Sequence, residues 1–202
     1  MTHIRKITNT LAAVALACLT MTTVACSDDD DNTTPNPDQQ EQEQALTLQD
    51  LVGSYTGTFD FTAEPSALNP APQAQNDIAV SVEVTEEGAV HFAEFPAATL
   101  VTALLGEEAA GSLIPMLGTI IYDATIGTPT ADATKLSADL TTPVLTLNLM
   151  GGIMKVEITI ESPDQLTYTK EGGLTFTLKT TKATVNGEEM ELVNTLTFDV
   201  KK

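Results

Sequence analysis

The residue with the most definite chemistry in this chain is Cys26. It stands between small residues and acids, in the stretch Thr23-Val24-Ala25-Cys26-Ser27 followed by Asp28, Asp29, Asp30 and Asp31. The second cysteine, Cys18, lies in the uncharged stretch 11–25, so removal of that stretch leaves Cys26 as the only thiol. A single thiol forms no intramolecular disulfide, although an exported chain would permit one. At the first residue of a mature chain, this nucleophile is predicted to be lipidated.

Metal and catalytic chemistry have little support elsewhere in the sequence. After the first 25 residues, His91 is the only histidine, and it lies between Val90 and Phe92 with its side chain expected to face solvent. Zinc needs three or four convergent ligands, so we predict no metal site and no cofactor. No Gly-x-Ser-x-Gly elbow occurs, and no second histidine is present to activate a serine or cysteine. Carboxylates within the expected strands are predicted to face solvent, and we therefore predict that the protein is not an enzyme.

The first 25 residues have the composition of an export signal. His3, Arg5 and Lys6 form a basic start, and the uncharged stretch that follows ends in Ala25. This stretch is shorter than the roughly 20 residues that a transmembrane helix needs, which disfavours an uncleaved anchor. The residues around Cys26 resemble the lipobox of bacterial lipoproteins, with Thr23 where leucine is usual. A competing match at Cys18 is disfavoured, because it would leave an apolar run on the mature end.

The residues after Cys26 resemble a second targeting signal. Ser27 and the four aspartates Asp28 to Asp31 resemble the acidic export tag of surface lipoproteins of the Bacteroidetes. That resemblance implies a protein anchored by its lipid in the outer membrane and facing the cell exterior. The alternative is a solvated acidic spacer, because blocks of like charge usually form unstructured tails. Residues 26–45 are mostly polar and are predicted to form a lipidated, disordered acidic tether before a single domain at residues 46–202.

The charge balance excludes several classes of partner. The chain has 28 acidic and 9 basic residues, a net charge of −19. Such a charge argues against nucleic acid and against direct binding to anionic lipid, so the predicted membrane contact is the N-terminal lipid alone. There is no Trp, and the only Arg is Arg5 in the signal. The mature chain therefore lacks the usual bidentate anion clamp and the best stacking side chain.

The remaining sequence predicts an all-β, mainly antiparallel domain. Alternating apolar residues predict strands over 51–62, 78–84, 90–95 and 190–200, and Asn186-Gly187 is a strong hairpin signal. Gly151-Gly152 predicts another tight hairpin, between strands at 144–150 and 153–161. About eight or nine strands at short spacing indicate a barrel or a sandwich. Residues 97–117 have helical spacing and are cut by Gly106 and Pro115, which predicts one or two short helices there.

The first predicted strand carries a family resemblance. Leu51-Val52-Gly53-Ser54-Tyr55-Thr56-Gly57-Thr58-Phe59 resembles the opening strand of calycin-like, or lipocalin-like, barrels. Gly53 and Tyr55 stand where lipocalins have Gly-x-Trp, and Tyr for Trp is a departure. The resemblance implies a calycin-like lipoprotein of the Bacteroidetes with a barrel interior. Five aromatic residues are candidates to line a ligand cavity there or to fill it: Tyr55, Phe59, Phe61, Phe92 and Phe176.

The apolar segment 97–121 is the other candidate for function. It could form a lid or wall over an apolar cavity, or a surface for a partner, but ordinary packing at one barrel end is favoured. We therefore expect a surface-anchored binding module for a small apolar ligand. The alternative is an accessory lipoprotein that meets a protein or glycan through its outer surface, and an enzyme is least favoured.

Overall fold

The alternation of inward and outward side chains organises the fold of this protein. We describe residues 44–171 and 173–202 of a computed structural model. The predicted signal peptide (1–25), Cys26, the tag Ser27 to Asp31 and nearly all of the tether to residue 45 lie outside these described residues. In the part of the chain described, no helix is both long and apolar enough to cross a membrane.

The described chain contains twelve strands in one antiparallel sheet and three short helices. The strands are β1 Gly53–Ala63, β2 Gln75–Val84, β3 Ala89–Phe92, β4 Tyr122–Ile126, β5 Thr130–Ala131, β6 Lys135–Ala138, β7 Leu140–Thr141, β8 Leu145–Leu149, β9 Met154–Glu161, β10 Leu166–Thr169, β11 Gly173–Val185 and β12 Glu188–Lys201. The helices are α1 Leu48–Leu51, α2 Ala97–Leu105 and α3 Glu107–Leu113, with 3-10 turns at Ile114–Met116 and Met150–Gly152. This confirms the predicted all-β class with short helices in segment 97–117.

The sheet curls back on itself into a barrel-like shape. Its strand order is β5-β6-β10-β11-β12-β1-β2-β3-β4-β7, and β9 pairs with the second half of β11 and carries β8 on its other edge. Strands β6 and β7 are two parts of one segment interrupted only at Asp139. Because β6 pairs with β10 and β7 pairs with β4, this segment joins the two ends of the sheet. The sequence pattern did not predict β5, β6 or β7.

Aromatic rings fill the centre of the curled sheet. Phe198 of β12 stacks on Phe176 with ring centres 4.5 Å apart and on Phe59 at 5.3 Å. Phe92 meets Phe198 edge to face at 5.5 Å. Such ring pairs add about 0.5–1.5 kcal/mol beyond the burial of their area. The inward faces of β1, β3, β11 and β12 therefore share one aromatic core.

A short helix precedes β1 and buries Leu51 in the core. The predicted strand at 51–62 is corrected here: β1 begins at Gly53, and residues Leu48–Leu51 form α1. The helix starts because the Asp50 carboxylate accepts hydrogen bonds from the Thr47 N–H (2.7 Å) and the Thr47 hydroxyl (2.9 Å). These bonds, the backbone one foremost, lower the pKa of Asp50. Lys202 then donates from Nζ to the Asp50 carbonyl at 2.7 Å, which ties the end of the last strand to α1.

Two tyrosines give the fold a dependence on alkaline pH. Burial raises the pKa of both Tyr55 and Tyr122 well above 10, and their hydroxyls donate to the carbonyls of Leu51 (2.6 Å) and Pro143 (2.8 Å). The pKa of each tyrosine is higher in the folded than in the unfolded state. The protonated hydroxyls therefore stabilise the fold fully below pH about 10, and this stabilisation is lost as the pH rises above that value. We expect tyrosinate absorbance from these two residues to appear together with loss of the β-sheet circular dichroism. Their ionisation in a fully folded sheet at pH about 10 would contradict this prediction.

Candidate functional site

The barrel is open beside β2, because β3 is short. Strand β3 pairs with β2 only at Glu83 and Val84, so residues 75–82 of β2 have no strand partner on that side among the residues that the structure describes. The sequence predicts a strand at 90–95, and the structure corrects this prediction: β3 ends at Phe92. The reason is that the Phe95 N–H donates to the Ile120 carbonyl at 2.7 Å instead of continuing the pairing with β2. The Phe95 ring also packs on Tyr122 at 4.7 Å, which holds residues 93–96 away from the sheet.

A cleft of about 820 Å³ follows this opening, and we call it the β2 cleft. On the strand side it is lined by Phe59, Ile78 and Val80. The opposite wall comes from residues 93–99 and 114–120 and is mostly apolar, with Phe95, Pro96, Ile114, Leu117 and Ile120. Four polar residues complete the lining: Thr56, Ser81, Glu94 and Thr99. Its volume lies within the range of about 300–1,000 Å³ that is typical of ligand sites.

Free backbone groups face the β2 cleft. The Thr85 N–H donates to the Ala89 carbonyl at 2.9 Å, which places Thr85 in a hydrogen-bonded pair with the start of β3. Backbone groups alternate in direction along an antiparallel strand, so those of Glu83, Ser81 and Ala79 point to the same side. Glu83 lies opposite His91 of β3, whereas Ser81 and Ala79 lie beyond the β2–β3 pairing. Both are exposed and line the cleft.

The surroundings of the β2 cleft are acidic. No Lys or Arg occurs anywhere from residue 51 to residue 134, the part of the sequence that supplies the whole lining. Glu94 lies in the lining, and Asp60 and Asp77 lie near the far end of β2, where the Asp60 carboxylate accepts the Asp77 N–H at 3.0 Å. Among basic residues on neighbouring strands, Lys201 is opposite Thr56 in the β1–β12 pairing. The cleft therefore combines an apolar floor with an anionic rim.

The five aromatic residues proposed as a cavity lining are all buried. Phe59, Phe92 and Phe176 belong to the ring cluster around Phe198, with Phe92 and Phe176 at 6.2 Å. Tyr55 is held by its hydrogen bond to Leu51. Phe59 also lines the β2 cleft, and Phe61 lines a second cleft of about 500 Å³. An enclosed ligand cavity among these five residues stays a prediction, and the structure brings four of the rings into mutual contact or into a cleft wall.

His91 is paired rather than facing solvent alone. Its Nδ1 lies 2.6 Å from a carboxylate oxygen of Asp123, directly across the β3–β4 pairing. The His91 side chain is 29% exposed and that of Asp123 is 56% exposed. Within the described ranges, no group of three or more His, Cys, Asp or Glu side chains is placed to hold a metal ion.

The apolar segment 97–121 divides into a buried part and a cleft-lining part. Leu100, Val101 and Leu104 of α2 are buried in the core. The segment beyond α3 lines the β2 cleft with Ile114, Leu117 and Ile120 and exposes its neighbours Met116 and Ile121. The sequence indicated that segment 97–121 could form the wall of a cavity, but it did not indicate that strand β2 lies on the other side. The alternation Ile78, Val80, Val82 was visible, but it did not indicate that two of these residues are only partly covered.

The chain was compared with known proteins. No family model, curated protein or solved structure matches it. The features that bear on function are therefore the geometry of the β2 cleft and the residues of the N-terminal segment.

Proposed function

We propose that this chain is a lipid-anchored binding module that takes an apolar ligand in the β2 cleft. In this proposal Cys26 carries the lipid, and the tag Ser27 to Asp31 directs the protein to the outer face of the outer membrane. The domain is calycin-like in this proposal. Gly53 and Tyr55 at the start of β1 and the curled antiparallel sheet support this interpretation. The protein needs no cofactor for this role and carries out no catalysis.

The observation that carries the proposal is the unpaired stretch of β2 beside an apolar wall. A gap in a barrel exposes core-facing side chains, and here the partly buried Ile78 and Val80 line the cleft together with residues 114–120. Apolar surface gains about 25 cal/mol for each Å² removed from water, so a ligand that covers these residues is stabilised. The central rings already contact one another, and this favours the cleft over the interior as the binding site.

A charged residue in the cleft floor is expected to abolish binding. Val80→Glu places a carboxylate where an apolar group would be buried, and an unpaired buried charge is strongly unfavourable. We expect the neutral dye Nile red to bind the wild type saturably and to lose affinity at least about tenfold in the variant, which corresponds to about 1.4 kcal/mol. Ala98→Trp, on the helix side of the same cleft, fills the space without adding charge and is expected to weaken binding as well.

Val144→Glu provides the matched control for the charge. Val144 is 54% exposed and lies outside the β2 cleft, in a groove of about 330 Å³ that also includes Ile121. We expect this variant to bind Nile red as the wild type does. Equal binding by wild type and Val80→Glu, with circular dichroism showing both folded, would contradict the proposed function.

The same groove supports a second candidate function. Ile121 and Val144 are large apolar residues that are 64% and 54% exposed, side by side in that groove. Exposed apolar patches commonly mark surfaces that meet another macromolecule. This favours an accessory lipoprotein that docks a surface protein or glycan through its outer surface. Loss of Nile red binding in Val144→Glu alone would favour this alternative over the β2 cleft.

A further inference from the structure

We infer that the natural occupant of the β2 cleft is an extended cationic peptide segment that adds to the free edge of β2 as a further strand. This inference rests on the proposed function, because it names the kind of ligand that the same cleft takes. Three features of the described residues lead to it: the free backbone edge, the apolar floor and the excess of acidic over basic side chains around the cleft, where Lys201 opposite Thr56 is the basic residue on a neighbouring strand.

The backbone edge provides the hydrogen bonds. Within the described chain, residues 78–82 of β2 have a partner strand on the β1 side only, and the N–H and C=O groups of Ala79 and Ser81 point into the cleft. Unpaired strand edges take up extended peptides by main-chain hydrogen bonding. A lipid tail would leave these polar groups without partners, whereas a peptide strand satisfies them. Asp77 has a positive φ and has no partner on β1, so the regular free edge is residues 78–82, about 16 Å long, which a peptide of about five residues covers.

The apolar floor selects alternate side chains of the peptide. Side chains of a strand alternate between its two faces, so every second residue of an added strand would point inward. Those residues would lie beside Ile78 and Val80 and against Ile114, Leu117 and Ile120. Apolar residues at alternate positions are therefore required, and the residues between them face solvent.

The negative charge around the edge of β2 favours basic residues at the outward positions of the peptide. Asp77 and Glu83 lie on the exposed face of β2, Glu94 lines the cleft, and no Lys or Arg lies between residues 51 and 134. Lys or Arg at the outward positions of the peptide would meet this anionic rim, whereas an anionic amphiphile such as a fatty acid would be repelled. A second copy of this chain is disfavoured for the same reason. Antiparallel pairing of two β2 edges about Val80 would set Asp77 of one copy opposite Glu83 of the other.

Synthetic peptides test the inference directly. The probe is a capped peptide of alternating valine and lysine, about eight residues long, titrated into the purified protein by fluorescence anisotropy. Two further peptides carry N-methyl groups on the valine amides or on the lysine amides. Only one of these two sets faces β2 in the added strand, so we expect one methylated peptide to lose at least about tenfold in affinity and the other to bind as the parent does. A valine–glutamate peptide is expected not to bind.

A variant of the protein gives the reciprocal test. Ser81→Pro removes the N–H that faces the cleft and leaves the pairing with β1 in place, because proline is tolerated on a strand edge. We expect it to weaken the valine–lysine peptide about tenfold while Ser81→Ala, which keeps the N–H, binds normally. The methylated peptides keep the test decisive if Ser81→Pro does not fold. Equal binding of both methylated peptides, or binding of the glutamate peptide, would overturn the inference. Nile red binding that depends on Val80 would still support the proposed function in that case.

Discussion

Replacing Gly57 by alanine is expected to destabilise the domain by about 3 kcal/mol or more, a large part of the 5–15 kcal/mol typical of folded domains. Gly57 of β1 lies opposite Val200 of β12. A Cβ atom at residue 57 would be 2.2 Å from the Asp199 carbonyl oxygen and 2.7 Å from the Val200 Cα. Both atoms belong to the backbone, so no side chain can move aside to make room. Relief requires β1 and β12 to separate, and this pairing lies at the centre of the sheet.

Gly111 provides the matched control for this substitution. It lies in α3, and a Cβ atom added there meets nothing within 4 Å. Gly111→Ala is expected to raise stability by about 0.5–1 kcal/mol, because alanine favours the helix over glycine. Urea unfolding followed by circular dichroism measures both variants. Unfolding of Gly57→Ala at the same urea concentration as the wild type would contradict the steric role of the close β1–β12 approach.

Changing Cys26 to alanine is expected to move the protein from the membrane fraction to the soluble fraction. The proposed anchor consists of acyl chains on this one thiol, and each buried CH₂ contributes about 0.8 kcal/mol. Without the anchor, a strongly acidic chain has no attraction for an anionic membrane surface. Fractionation of cells expressing each variant, followed by immunoblotting, measures the effect.

Cys18→Ala is the control for the anchor. Cys18 lies in the segment expected to be removed, so this variant is expected to remain with the membranes. Membrane association of Cys26→Ala equal to that of the wild type would contradict the lipid anchor. Release of Cys18→Ala instead would move the anchor to the competing position.

The sequence was most informative where side chains alternate over long strands. Tyr55, Phe59 and Phe61 were expected on one face of a strand, and all three are buried. The hairpin at Asn186-Gly187 is also confirmed, because both residues have positive φ (51° and 90°) between β11 and β12. These features depend on local chemistry, the pleat of a strand and the steric freedom of a turn residue. Such preferences are visible in one sequence.

Short elements were missed because partners distant in the sequence determine them. The segment 130–141 forms β5, β6 and β7, strands of two to four residues that offer too few positions for an alternating pattern. The tight turn predicted at Gly151-Gly152 is corrected: the loop between β8 and β9 has four residues, 150–153, and Met150 has a positive φ of 53° like the two glycines. The two extra residues, Met150 and Ile153, lengthen the turn, which the glycine pair alone did not indicate.

The β2 cleft could not be predicted, because it results from an absent pairing. Residues 90–95 have the apolar alternation of a longer strand, and such a strand would have covered more of β2. Instead the backbone of Phe95 bonds to Ile120, distant in the sequence, and the gap opens. The sequence predicts a ligand cavity among aromatic residues of the interior, and that cavity stays a prediction. The sequence did indicate residues 97–121 as a candidate wall, and 114–120 line the cleft.

The most direct test of the central claim is native mass spectrometry of the protein purified from its own host. We expect the wild type and Val144→Glu to carry an added mass above that of the lipidated chain, and Val80→Glu to lack it. A retained mass that fragments as a peptide rich in lysine or arginine would also support the inference about β2. A wild-type protein without added mass, or an added mass that Val80→Glu retains in full, would contradict a binding site in the β2 cleft.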